Sequence, residues 1–392
     1  MVDDKEKPVP QIRFRGFTDA WKPRKLGEVA QSVGTGRSAF TSNAEESPDT
    51  PFAVLGSTSV ISYDREYDHS GDFILTARVG ANAGNLYRYQ GSVKITDNTV
   101  YIQGNNLDYL YYLLLKFDLK SLSFGTGQPL IKASELKSLT LQHPSESEQA
   151  VIGSFFSALD HTITLYKRKL DGLKKLKAAY LQQMFPQAGK RAPRIRFEWF
   201  AGDWEQRRLS DYLETSKAKN IDGAFDKGDV LSVSGECGVI NQIEHKGRSF
   251  AGQSVLQYGI VNNGDVVYTK SPLKANPHGI IKTNFGKPGI VSTLYAVYTP
   301  KPIACSNFVQ WYFELDARLN NYLKPLVNKG AKNDMKVSDD NALKGSVAFP
   351  GLPEQTAIGS FFRTLDNAIN TQTERLEQAK RLKLAYLQKM FV

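Results

Sequence analysis

Two stretches of the chain carry an unusually regular alternation of apolar and polar positions. In the first, Ile152, Phe156, Leu159, Ile163, Tyr166, Leu170 and Leu173 follow one another in steps of four and three, with charged residues between. That is the spacing of a coiled-coil seam. In the second, Ile358, Phe362, Leu365, Ile369, Leu376 and Ala379 hold the matching positions, with Gln372 where the first has Tyr166. Pro144 and Pro350 stand just ahead of the two stretches, and Glu148 and Glu354 fall in the first turn, where negative charge suits the helix dipole. Pro186 stops the first stretch. The pattern predicts two helices of roughly 38 residues, each about 57 Å long at 1.5 Å per residue. A lone amphipathic helix of that length needs a partner. The expected partner of each is the other, in an antiparallel coiled coil.

The helices are part of a larger repeat. Ile12-Arg13-Phe14-Arg15-Gly16-Phe17, followed by Trp21 and Arg24-Lys25-Leu26, returns 183 residues later as Ile195-Arg196-Phe197-Glu198-Trp199-Phe200, followed by Trp204 and Arg207-Arg208-Leu209. The helix starts at Glu148 and Glu354, and the helix ends AYLQQMF at 179–185 and AYLQKMF at 385–391, are related by 206 residues. Two copies therefore share their leading and exit segments, while the inserts between differ by 23 residues in length and align poorly. A duplicated frame around dissimilar inserts implies one kind of task performed on two different objects. The inserts are of mixed character, rich in strand-like runs such as 73–79, 92–96, 99–102, 265–270 and 294–298, with one helical segment each, 107–119 and 306–323. The fold class expected is α+β: two globular units of mixed α/β character joined by two long antiparallel helices, with an internal pseudo-two-fold repeat. The boundaries expected are 1–145, 146–185, 186–350 and 351–392.

Composition narrows the partners. Fifty Lys and Arg against 40 Asp and Glu give a net charge of +10, which favours a polyanion. Residues 1–7 show no apolar stretch behind a basic start, so no secretory leader is expected. The most apolar run, 109–115, is too short to span a bilayer. With only Cys237 and Cys305, neither a disulfide framework nor a cysteine zinc site is expected, and the default location is cytoplasmic.

Catalytic motifs are missing. Asn276-Pro277-His278-Gly279 lacks the second proline and the aromatic residue of an adenine methyltransferase loop. The glycine strings 34–38 and 80–84 lack the lysine and spacing of a phosphate loop and read as turns. The five histidines are scattered, with His161 on a polar helix face, and no pair has metal-ligand spacing. No enzyme centre and no metal site are expected in this chain.

Residues that pair with base edges or phosphates are more promising. In the first insert these are Arg37, then Arg78, Asn82, Asn85, Tyr87 and Arg88 around one glycine-rich turn, then Thr126 and Gln128 in a second polar loop. In the second insert they are Lys270, Ser271, Lys274, Asn276 and His278 in a Pro-broken loop, and Lys329, Lys332 and Asn333 in the place of the earlier 125–128 loop. The basic tail of the first helix (Lys167, Arg168, Lys169, Lys174, Lys175, Lys177) reads as a solvated or phosphate-facing surface.

Taken together, the paired leading segments, the Glu-Gln-x-x-Ile-Gly-Ser-Phe-Phe-x-x-Leu-Asp helix starts and the AYLQ-x-MF helix ends resemble the specificity subunit of type I restriction–modification enzymes, across essentially the whole chain. The turn 80–84 and the loop 329–336 also resemble elements of that family. The resemblance implies that each insert is a target recognition domain reading one half of a bipartite, asymmetric site on double-stranded DNA. It implies helices that set the unread spacer and dock two modification (methyltransferase) subunits, with restriction (motor-nuclease) subunits completing the enzyme. S-adenosylmethionine, ATP and Mg²⁺ would then serve those partners, for adenine N6 methylation or cleavage, and no cofactor is expected here. The competing expectation is a coiled-coil adaptor whose inserts bind proteins.

Overall fold

A computed structural model describes residues 9–39, 43–122, 129–187, 189–252, 254–329 and 335–392. Both long helices form where the heptad pattern places them, Glu146–Gln183 and Leu352–Lys389, each of 38 residues. Their starts are fixed alike. The Gln149 side-chain amide donates to the Pro144 carbonyl at 3.0 Å, and that of Gln355 to the Pro350 carbonyl at 2.9 Å. These bonds tie the first turn to the segment that precedes it.

The chain divides into two compact units, and the division cuts both helices. One unit takes Met1–Arg168 with Glu374–Val392, and the other Lys169–Thr373. Each unit therefore contains the head of one long helix and the tail of the other.

The first unit is built on a six-stranded sheet in the order Ser32–Thr35, Thr99–Gln103, His69–Ala77, Leu86–Ile95, Phe52–Leu55, Val60–Asp64. All neighbours are antiparallel except Phe52–Leu55 with Leu86–Ile95. The second unit has a four-stranded antiparallel sheet in the order Leu213–Thr215, Tyr295–Pro300, Val266–Thr269, Ile281–Thr283, with further two-stranded ribbons. The inserts thus differ in architecture as well as in sequence.

The frame around them is the same, contact for contact. In the first unit Arg13 grips Glu148 through two bonds of 2.7 Å, while strands Lys22–Lys25 and Thr140–His143 pair. In the second, Arg196 grips Glu354 at 2.7 and 2.6 Å, and Glu205–Arg208 pairs with Ser346–Phe349. Each grip is a two-point guanidinium–carboxylate bond to an almost fully buried acid, so it fixes the leading segment on the helix head with defined geometry. Glycine makes the heads fit. A Cβ on Gly153 would lie 2.7 Å from the Tyr109 backbone nitrogen, and one on Gly359 2.8 Å from Asn307 Cβ, so each head packs closely on its insert helix.

Tails complete the cores. In the first unit Phe391 stacks on Phe156 with ring centroids 5.7 Å apart and meets Trp21 edge-on at 6.3 Å. In the second Phe185 stacks on Phe362 at 5.8 Å and meets Trp204 at 6.1 Å. Tyr386 meets Phe155 at 5.2 Å, and Tyr180 meets Phe361 at 5.1 Å. Lys383 pairs with Asp160 while Phe391 meets Phe156, and Lys177 pairs with Asp366 while Phe185 meets Phe362, so head and tail lie antiparallel within each unit. Of the seam residues, Ile152, Phe156, Leu170, Ile358, Phe362, Leu365 and Leu376 are buried, and Leu159, Ile163 and Ile369 are half-buried. Ile152 and Phe156, like Ile358 and Phe362, sit in the globular cores together with the opposite tail.

Two expectations need correction. The segment 306–323 is two helices, Ser306–Tyr312 and Asp316–Leu323, because Phe313 turns into the core and Glu314 reaches Lys282 at 2.7 Å. Lys177 does not belong to the solvated basic tail. It is ion-paired with Asp366 at 2.6 Å and lies 4.7 Å above the Trp311 ring, as Lys383 pairs with Asp160 at 2.6 Å and lies 5.3 Å above Tyr112. Lys167, Arg168, Lys169, Lys174 and Lys175 are exposed, and so is His161. Among the described residues, no helix is long and apolar enough to cross a membrane.

Candidate nucleic-acid interface

The glycine-rich turn of the first unit follows directly from its residues. Gly80 and Gly84 adopt φ of 88° and 87°, which only glycine does without strain, and Gly84 is packed too closely on Lys120 to carry a Cβ. The Gly84 amide donates to Thr76 Oγ1 at 3.1 Å, and the Gly80 amide to the Pro129 carbonyl at 3.0 Å. The turn is thereby held at the end of strand His69–Ala77. It presents Asn82 to solvent, with Asn85 half-buried and its amide donating to Asn82 Oδ1 at 3.1 Å.

Arg78 is half-buried, and its amide donates to the Asn98 carbonyl at 2.8 Å. Arg37 is exposed on the other side of the same hairpin turn, where Gly36 bonds Thr99 and Ser38 bonds Ile95 through the backbone. Tertiary structure thus brings Arg37 and Arg78 to the turn 96–98, whose Asp97 and Asn98 are exposed, with Asn82 and Asn85 in the glycine-rich turn that follows Arg78. Those two residues were missed in the sequence, although Asp-Asn between strand-like runs is a turn signal. Tyr87 is part of the sheet's support: its hydroxyl donates to the Gly56 carbonyl, and burial raises its pKa well above the ordinary value of 10. Arg88 is ion-paired with Asp108 and lies over Tyr111.

In the second unit the Pro-broken loop is tied down at both ends. Lys270 is ion-paired with Asp339 at 2.8 Å. Asn276 is buried, donates to Asp316 at 2.7 Å, and its carbonyl accepts from Leu273 and Gly279. The His278 carbonyl accepts from the Tyr268 hydroxyl at 2.8 Å. Gly279, at φ 90°, is packed against the Thr269 carbonyl where no Cβ fits. These contacts hold Lys274 out in solvent at the loop tip, with Ser271 half-buried. Lys270 and Asn276 would have to release protein partners to touch DNA. Thr126, Gln128, Lys332 and Asn333 lie outside the described residues. Lys329 is described only as backbone, in the short strand Asn328–Lys329 paired with Met335–Lys336.

Cys237 is exposed and Cys305 half-buried, neither in a disulfide, and among the described residues no group of three or more His, Cys, Asp or Glu is placed to hold a metal.

Residues 18–175 match the family described as Type I restriction modification DNA specificity domain. The chain is 27% identical over 154 residues to the EcoprrI specificity subunit of Escherichia coli, covering 38% of either chain. It is 28% identical over 132 residues to the MjaIX specificity subunit of Methanocaldococcus jannaschii, covering 29% of this chain and 28% of that one. The matched stretches thus span well under half of these relatives. The crystal structure of the type I restriction–modification S subunit from M. genitalium is similar over 98% of this chain and 99% of its own, with a TM-score of 0.65 at 14% identity. That likeness extends the shared fold over both units. Over residues 18–175 the chain is thus similar in sequence to the type I restriction modification DNA specificity domain, and along its length it shares the fold of the M. genitalium S-subunit structure.

Proposed function

We propose that this chain is the DNA-reading, non-catalytic subunit of a type I restriction–modification enzyme, each insert reading one half of a bipartite, asymmetric site. The observation that carries the reading is the repeated frame. The Arg13–Glu148 and Arg196–Glu354 grips and the exchanged Phe391 and Phe185 tails are alike, yet they hold sheets of six and four strands. One mount carrying two different heads suits two different half-sites. The match of residues 18–175 to a DNA specificity domain supports DNA as the object. In this reading Arg37, Arg78, Asn82 and Asn85 form one contact surface and Lys274 leads the other. Each is a target recognition domain, and the antiparallel helix pair sets the unread spacer between them. Two methyltransferase subunits dock on the frame and bring S-adenosylmethionine for adenine N6 methylation. Motor-nuclease subunits bring ATP and Mg²⁺, and the assembly works in the cytoplasm.

The test is a long-read methylome of cells expressing the chain with its modification subunit, against cells lacking only this chain. N6-methyladenine at an asymmetric two-part motif should vanish with the deletion. A soluble, assembled complex that leaves the methylome unchanged would overturn the reading.

A further inference from the structure

A cleft of about 700 Å³ lies within the second unit, walled by the end of the first long helix, the linker after it and the helix Asp316–Leu323. Its volume is in the range of small-molecule sites. Arg318 lines it, with the guanidinium 4.8 Å above the Phe185 ring and 5.2 Å above Tyr312, and Nη1 donating to the Tyr312 carbonyl at 2.9 Å. That bond uses one of five N–H donors. The other frame arginines, Arg13 and Arg196, each grip a carboxylate; Arg318 has no carboxylate partner among the described residues. None of the residues lining the cleft is acidic, and Lys190 and Arg191 add positive charge at its rim. Gln182, Gln206, Asn321 and Ser346 supply neutral polar groups.

Burial holds the Arg318 guanidinium below its ordinary 12.5, since desolvation acts against the charge and is countered only in part by Tyr312. A desolvated cation without a counter-charge is costly, and a planar guanidinium stacked on aromatic rings is shaped for two-point recognition of an oxyanion. We propose that this cleft binds a small oxyanion, a phosphorylated or carboxylated metabolite whose acidic head pairs with Arg318 and whose body rests on Tyr312, Leu315 and Ala348.

The experiment uses the full chain. Thermal unfolding and titration calorimetry are run with inorganic phosphate, pyrophosphate and benzoate, against chloride at matched ionic strength. Saturable stabilisation is expected, by the phosphates if the head is a phosphate and by benzoate if it is a carboxylate. Arg318→Met should fold as well in chloride and bind at least tenfold more weakly. Should that variant fail to fold, Asn321→Leu on the exposed wall must weaken binding severalfold. No saturable response to any oxyanion, an equal response in Arg318→Met, or a response to duplex DNA alone would overturn the proposal.

Discussion

Replacing Phe391 by alanine tests the exchange of helix tails directly. Phe391 is 4% exposed and packs against the rings of Phe156, Tyr109 and Trp21 at centroid distances of 5.7, 5.9 and 6.3 Å. All three belong to the first unit, although Phe391 is the last residue of the AYLQ-x-MF motif that ends the second copy. Truncating a buried phenylalanine removes its transfer energy and leaves a cavity, at a typical cost of 3–5 kcal/mol. Flanked by Met390 and Leu387, which are also buried, the site has little room to collapse. A loss of about 4 kcal/mol is therefore expected, equivalent to roughly a thousandfold in the opening equilibrium at 1.4 kcal/mol per decade. Hydrogen exchange locates the loss. Amides of the ribbon Lys22–Lys25 with Thr140–His143 should lose about three decades of protection, while those of Glu205–Arg208 with Ser346–Phe349 stay within one decade. Phe185→Ala should produce the mirror image. An effect below about 1 kcal/mol, or equal losses in both ribbons, would refute the assignment of each tail to the opposite copy's core.

Further outcomes follow from other parts of the structure. His143 is buried beside Tyr109, and burial pushes its pKa down to about 4, with a smaller contribution from Arg24. Its folded value lies below the unfolded 6.5, so its stabilising share is present above pH 6.5 and is lost as pH falls toward 4, about 3 kcal/mol in all. His143→Phe, the residue found at the equivalent Phe349, should remove that share of the acid sensitivity in urea unfolding; an unchanged pH profile would count against it. DNA affinity should fall steeply with salt, and Arg78→Ala or Lys274→Ala should reduce the slope of log K against log salt by about one if the residue holds a phosphate. A salt-independent interaction would favour the protein adaptor. Four residues inserted within 160–180 add about 6 Å of helix, close to two base-pair steps at 3.4 Å each. The methylated motif should gain one or two unread bases with both halves unchanged; an unaltered spacer means the helices do not set it.

Much of the frame was legible because its signals are local and strong. A heptad of Ile, Phe and Leu with proline ahead of it specifies a helix wherever it occurs, so the two 38-residue elements stand where the periodicity places them. The repeated Arg and Glu of the grips were visible as recurring letters, although their pairing across 135 and 158 residues was not. In the inserts, by contrast, the value of a polar side chain depends on what lies far along the chain. Asn276 looked like a surface amide until Asp316, 40 residues on, was found bonded to it; Lys270 meets Asp339 across 69 residues. Only the tertiary structure could distinguish these from Asn82 or Lys274, which stay exposed.

The tails set the boundary between the two kinds of knowledge most clearly. AYLQQMF and AYLQKMF differ at a single position, so the letters do not say which core each fills. By itself the sequence determined that there are two helices, two frames and two inserts. The tertiary structure decided that each helix ends in the other copy's unit. Burial of Phe391 against Phe156 and Trp21 in one unit, and of Phe185 against Phe362 and Trp204 in the other, is the contact that fixes each tail where it ends.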